Sequence, residues 1–397
     1  MLAADHVLRS SIAMVNTNSA GKLLGVVLLA RHGDRLEFFQ DPLTYTPAAT
    51  TLTPLGTVQE HQLGSFLRAT YLDPHNSATF ISGLNTDLVD IDQLIVRADA
   101  AGEGNIILES AGALLQGLYP PTTEFQTTLA NGTTVIGAFG GYQFVPIESV
   151  EPNLDISLNS FTSCPNFDLH TSAFYASPEF QAKAQEAAPF LQKLQPFIGN
   201  RSIDFINMFN IFDFVNVQRI HNKTFFDALP PTFGAQAYAL ANFHENGVFT
   251  DSTINGIGNV AIRTILPSIF TSLTRIANSS DPLKLALNEI SYKPFISLFN
   301  VTEATVKDPE IAGIVDYASV VALELHESPA GTPSVVMKFK NGTNDRDFRP
   351  LSLFGSSIVS LDEFIDRLSP AAINTTSEWS REFVILKKAN TCNSLIV

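Results

Sequence analysis

Apolar residues recur along this chain with two different periods. Residues 22–30, Lys-Leu-Leu-Gly-Val-Val-Leu-Leu-Ala, form a nearly unbroken apolar run, the pattern of a parallel-sheet strand buried on both faces. Over 54–71 the period lengthens: Leu55, Leu63 and Leu67 recur at helical spacing and predict an amphipathic helix with these three on its buried side. Residues 106–118 predict a second helix. Around 133–150, Thr-Thr-Val-Ile and Tyr-Gln-Phe-Val-Pro-Ile read as two strands joined through Gly137 and Gly140-Gly141. From 177 to 250 the helical period dominates, notably over 179–198 and 203–218, and predicts an inserted helical cap. A long helix over 253–276 then returns to the sheet. Strand-like runs follow at Val320–Leu325 and Val335–Phe339, and Leu361-Asp362-Glu363-Phe364 opens a terminal helix. The order predicts an α/β fold: a mainly parallel sheet with helices on both faces, its core formed by 20–150 and 251–392, with 151–250 as the cap.

The first apolar run ends in Arg31-His32-Gly33-Asp34-Arg35. Ligands of open α/β sheets sit beyond the carboxyl ends of such strands. Two guanidinium forks match phosphate oxygens, glycine lets the backbone turn and approach an anion, and a neutral imidazole between the arginines can attack phosphorus. The alternative is an ion-paired loop.

These residues resemble the signature of the histidine acid phosphatases, a family of phosphoglycerate mutase-like fold that includes prostatic-type acid phosphatases and fungal phytases. The segment Leu52-Thr53-Pro54-Leu55-Gly56, with Gln59, Leu63-Gly64 and Leu67-Arg68, is similar to the family's helix-opening stretch. Ser110-Ala111, Gly117-Leu118-Tyr119-Pro120 and Cys164-Pro165 extend the likeness over most of the chain. The resemblance implies that His32 is the nucleophile, that Arg31 and Arg35 bind phosphate, and that Arg97 joins them. It also implies a second phosphate-binding arginine near Arg97 and a later His-Asp pair whose acid protonates the leaving group. The sequence departs from both. Residues 98–106 offer no further arginine, and Ser291-Tyr292 or, with a short gap, Asn288-Glu289 stand where the pair belongs. A glutamic acid in an apolar pocket keeps its proton towards neutrality, so Glu289 is the expected stand-in acid, with Ser291 and Tyr292 as phosphate-side neighbours. A solvated Glu289 is the alternative reading. His244-Glu245 and His326-Glu327 read as structural.

The net charge of −15 excludes a nucleic-acid partner and leaves recognition of a small phosphorylated or otherwise anionic substrate to local arginines. With 45% hydrophobic residues, 30 of them phenylalanine when the count is taken over the whole chain, a packed core is expected rather than disorder. No cluster has metal-ligand spacing, so neither metal nor cofactor is expected, and no apolar run reaches the roughly 20 residues of a membrane span. Sequons at Asn131, Asn200, Asn222, Asn278, Asn300, Asn341 and Asn374 predict N-linked glycans and a secreted, extracellular protein. Met1–His6 lacks the features of a signal peptide and reads as a mature start behind an added methionine. A removed anchor after Val397 stays open. Cys164 and Cys392 either stay as buried thiols or form one long-range disulfide; the resemblance implies the bond. Two functions fit: a secreted acid phosphatase-like hydrolase working through phosphohistidine, with weak or altered activity, or a degenerate member of the fold that binds a ligand or runs different chemistry.

Overall fold

The computed structural model describes residues 21–383 except 39, 40, 42, 44, 46, 47, 101–104, 152, 153, 329 and 330. Its strands are β1 (Lys22–Arg31), β2 (Leu94–Ala98), β3 (Gln126–Thr128), β4 (Thr134–Ile136), β5 (Leu285–Ile290), β6 (Val320–Glu327), β7 (Pro333–Lys340), β8 (Arg349–Leu351) and β9 (Val359–Ser360). Seven of them build one sheet in the order β2-β5-β1-β6-β7-β8, with β9 also on β7. The pairs β2–β5 and β5–β1 are parallel. From β1 outward the sheet continues antiparallel through β6 and β7; only five residues separate β6 from β7, too few for the crossover that a parallel pair needs.

Alternation along β1 sends its side chains to two different cores. Val26, Leu28 and Ala30, with Leu285 and Leu287 of β5, pack under helices α1 (Pro54–Tyr71) and α2 (Ile106–Leu118). Val27 and Leu29, with Ala286, pack against the Leu266–Ala277, Lys293–Val301 and Leu361–Leu368 helices. The α/β layering read from the sequence is therefore present, with helices on both faces. Thr53 caps α1 by accepting the Gly56 N–H at 3.1 Å, ahead of a proline at the first helical position.

Three expected elements differ in detail. Leu55 is 42% exposed; the buried stripe of α1 is Gly56, Glu60, Leu63, Gly64, Leu67 and Tyr71, because Gly56 must lie flat on the backbone at Gly33. The hairpin pairs Thr134–Ile136 with Gln126–Thr128, while Tyr142–Ile147 forms no strand, since Gly137 and Gly140-Gly141 close a short helical turn instead of a hairpin. The helix expected over 253–276 is divided into Ile257–Asn259, Val260–Arg263 and Leu266–Ala277, and the break after Arg263 falls where Pro267 lacks the N–H that continuity needs. Taken as one stretch, Ile257–Ala277 is long and apolar enough to cross a membrane, a span not anticipated from the sequence, yet Leu266, Ile269, Leu273 and Ile276 all face the core.

Between β4 and β5 the chain is helical, through Pro165–Tyr175, Pro178–Ile198, Met208–His221, Lys223–Ala228 and Phe233–Val248. These helices have a core of their own, centred on Phe180, Leu191, Leu194, Met208, Ile211 and Ala241. Cys164 caps the first of them, its Sγ accepting the Phe167 N–H at 3.3 Å, and burial pushes its thiol up to about 11; Cys392 lies outside the described residues. Asn131, Asn200, Asn222, Asn278 and Asn374 are exposed. Asn300 is not presented for a glycan: its amide nitrogen donates to Asp251 O and to Asn259 Oδ1, both at 2.9 Å. The Asn341 side-chain oxygen accepts the Asp316 N–H and the Ser319 hydroxyl, each at 2.9 Å.

Candidate active site

The end of β1 is held by backbone contacts on every side. Arg31 N–H donates to Ser319 O at 2.8 Å and His32 N–H to Ile290 O at 3.2 Å. Gly33 N–H then donates to Ser110 Oγ at 3.1 Å. A side chain at Gly33 would put its Cβ 2.5 Å from Gly56 O, so only glycine lets the two backbones touch. His32 is 1% exposed, its Nδ1 2.9 Å from Gly33 O. A proton on Nδ1 satisfies that carbonyl and leaves the lone pair on Nε2, the nitrogen suited to nucleophilic attack.

The two arginines have different surroundings. Arg31 is buried between aromatic rings, its guanidinium 4.3 Å from the centre of Tyr317 and 5.2 Å from that of Tyr292. One of its NH2 groups donates to Val315 O, its Nε has no hydrogen bond, and no carboxylate among the described residues forms an ion pair with it. Arg35, by contrast, donates to Asp213 Oδ1 at 2.8 Å, and the other oxygen of that carboxylate accepts the Phe38 N–H at 3.1 Å. Both arginines open onto a cleft of about 350 Å3 between the sheet edge and the helical insertion, whose wall includes Phe209, Phe212, Arg219, Tyr238, Lys293 and Asp316. A buried cation without a counter-ion is costly by several kcal/mol, and an anion seated in this cleft removes that cost.

Asp34 of the signature is structural. Its Oδ2 accepts the Thr53 hydroxyl at 2.5 Å and the His221 Nε2–H at 2.7 Å, tying the β1 end to the α1 cap and to the Met208–His221 helix. Tyr292 does line the cleft, its hydroxyl donating to Glu245 at 2.6 Å; Glu245 in turn holds His244 at 2.8 Å.

The remaining expected residues are not brought to the cleft. Arg97 pairs in register with Asn288, and so with Leu29, a level below the strand ends. It donates to Ser157 Oγ at 2.7 Å and lines a separate cleft of about 470 Å3 with Thr264 and Trp379. Glu289 pairs with Ala30 and Ala98, which turns it under α1 rather than towards the opening. It is fully buried, with no hydrogen bond to either oxygen, and burial pushes its carboxyl well above the usual range. Glu60 of α1 is raised likewise, by burial and then by the Glu289 charge. Ser291 is buried off the cleft with its hydroxyl unpartnered. Val315, Tyr317, Asp213 and Asp316, which frame the arginines, come from distant segments that carry no local motif.

No protein-family profile matches the chain. Among curated proteins it is similar to lysosomal acid phosphatase of Pongo abelii, 24% identical over 386 residues covering 94% of this chain and 82% of that protein. It is likewise 24% identical over 384 residues to prostatic acid phosphatase of Bos taurus, covering 92% and 89%. Among solved structures, the phytase of Citrobacter braakii superimposes with a TM-score of 0.60 at 14% identity, covering 90% of this chain and 99% of that one. A Hafnia alvei phytase bound to tartrate gives 0.62 at 13% identity, covering 89% and 98%.

Proposed function

We propose that the chain is a member of the histidine acid phosphatase family and a phosphomonoester hydrolase acting through a phosphohistidine, a reading supported by its 24% identity to lysosomal and prostatic acid phosphatases. The observation that carries this reading is Arg31: a buried guanidinium with no ion pair among the described residues, adjacent to an imidazole whose Nδ1 is committed to a carbonyl. The phosphate oxygens lie between Arg31 and Arg35. His32 Nε2 attacks phosphorus, the ester oxygen departs with the bonding pair and a proton, and water then cleaves the N–P bond. The two arginines stabilise the charge that builds on the equatorial oxygens. Secretion accords with relatives named lysosomal and prostatic and with five exposed sequons, and the helices of 151–250 act as the cap over the cleft. The Cys164–Cys392 bond would close a loop long enough to contribute roughly 4 kcal/mol or more in the chain-entropy model.

The test is hydrolysis of p-nitrophenyl phosphate from acidic to neutral pH, with inorganic phosphate as competitive inhibitor. Wild type should turn over, and His32→Ala should lose all turnover while still binding phosphate. Phosphate binding without His32-dependent turnover would identify a degenerate member that retains only anion binding; unchanged turnover in His32→Ala would refute the mechanism.

A further inference from the structure

An alkyl phosphate leaves as an alkoxide, so its departure needs a proton donor on the cleft wall, and Glu289 is buried away from that wall. Two carboxylates line the cleft among the described residues, Asp213 and Asp316. Asp213 is committed: one oxygen serves Arg35 at 2.8 Å and the other the Phe38 N–H at 3.1 Å. Asp316 is not. Its Oδ2 accepts one hydrogen bond, from Asn344 Nδ2 at 3.2 Å, and its Oδ1 accepts none within the described protein.

The placement of Asp316 is fixed by the strip of chain that holds Arg31. Val315, before it, offers its carbonyl to the guanidinium; Tyr317, after it, lays its ring under the same guanidinium and 5.6 Å from the His32 ring. The Asp316 N–H is anchored on Asn341 Oδ1 at 2.9 Å, and its carbonyl accepts the Ser319 N–H at 3.2 Å. Tyr238 of the Phe233–Val248 helix feels the charges of both Asp316 and Arg31, and the other charged groups lining the same cleft are Arg35, Asp213, Arg219 and Lys293. Neither neighbouring phenol on the helical side competes as donor: Tyr238 gives its proton to Ile314 O at 2.5 Å and Tyr292 gives its own to Glu245 at 2.6 Å.

We propose that Asp316 is the general acid of this enzyme, doing from the segment before β6 what no residue at the end of β5 is placed to do. As the His32 Nε2–P bond forms, the P–O ester bond breaks with its electron pair on oxygen, which takes the Asp316 proton and leaves as alcohol. In the second half, the Asp316 carboxylate takes a proton from water as the water oxygen bonds to phosphorus, and the N–P pair returns to Nε2.

The inference rests on the phosphohistidine reading, and leaving-group dependence separates the two. Asp316→Asn should lose kcat by roughly 100-fold or more on glycerol 2-phosphate, and by less than about tenfold on p-nitrophenyl phosphate, whose leaving group departs without a full proton. The inhibition constant of inorganic phosphate should stay within about twofold, showing that the fold and the arginine clamp persist. The alkaline fall of kcat on glycerol 2-phosphate should vanish in Asp316→Asn and return in Asp316→Glu. Equal losses on both esters, or a leaving-group-dependent loss in Lys293→Met instead, would overturn Asp316 while leaving the phosphohistidine reading standing. A wild type that binds phosphate and hydrolyses neither ester would overturn both.

Discussion

Arg31 and Gly33 stand in opposite relations to stability: Arg31 costs the empty protein stability, whereas Gly33 serves stability and the site together. A guanidinium buried without a counter-ion is destabilising to the empty protein, even with two rings against its faces and one carbonyl as acceptor. Arg31→Met should therefore melt higher than wild type in phosphate-free buffer, by about 1 kcal/mol or more. Inorganic phosphate at 100 times its dissociation constant should stabilise wild type by about 2.7 kcal/mol and leave the variant unmoved. Calorimetry in the two buffers checks both halves, and a variant that melts lower without phosphate would show that the ring contacts outweigh the charge. Gly33 has the opposite role. A methyl group there meets Gly56 O at 2.5 Å and Gly56 Cα at 2.8 Å, so Gly33→Ala must push α1 off the sheet. We expect a loss of about 1–3 kcal/mol in urea denaturation, together with the loss of turnover.

Helix α1 is also the element on which the pH response of the fold turns. It carries Glu60 into the same layer as Glu289 of β5, and the two carboxyls, Glu289 raised by burial and Glu60 by burial and then by the Glu289 charge, hold their protons well above the ordinary range. A folded state that binds protons more tightly than the unfolded chain is fully favoured below the ordinary carboxyl value of about 4.5 and loses that advantage as pH rises through the folded value. Unfolding midpoints should therefore fall from acidic towards neutral pH, and Glu289→Gln should flatten the slope. Glu324 works in the other direction. Burial alone would raise its carboxyl, but hydrogen bonds from His326 at 2.9 Å and Lys338 at 2.8 Å hold it below the usual range, so its contribution is lost as pH falls through that lowered value. Glu324→Gln should steepen nothing at neutral pH and should reduce the loss of stability seen in strong acid. A wild-type midpoint that climbs between acidic and neutral pH would refute the Glu60–Glu289 account.

At the scale of the whole molecule, the cleft exists because a helical insertion with its own core is set against the end of a sheet. Asp213, Arg219 and Tyr238 line the cleft from that insertion, while Val315 and Asp316 line it from the loop before β6. Surface chemistry follows the same architecture. In a eukaryotic host, mass spectrometry should find glycan on Asn131, Asn200, Asn222, Asn278 or Asn374, the exposed sequons, and none on Asn300, whose amide hydrogens are both used inside the protein. Glycan on Asn300 would require the Asp251 and Asn259 contacts to be broken. Cys164, buried and with its thiol raised to about 11, should resist alkylation until the chain is unfolded, whichever state it is in.

What the sequence by itself determined is local. The β1 run, the apolar period of α1, the second helix over 106–118 and the Arg31-His32-Gly33 turn are each encoded within a few residues, because strand burial, helical periodicity and backbone turning depend on neighbours along the chain. Those features were enough to read the α/β layers and to single out Arg31, His32 and Arg35 as the candidate site. Only the tertiary structure decided which side chains share the cleft. Strand register turned Arg97 and Glu289 to levels and faces that period-two alternation could not locate without a partner strand. The counter-ion of Arg35 lies 178 residues away in sequence, and the carbonyl that holds Arg31 lies 284 away. Separations of that size leave no spacing signal, since a contact across them is set by how the layers pack rather than by what lies nearby in the chain.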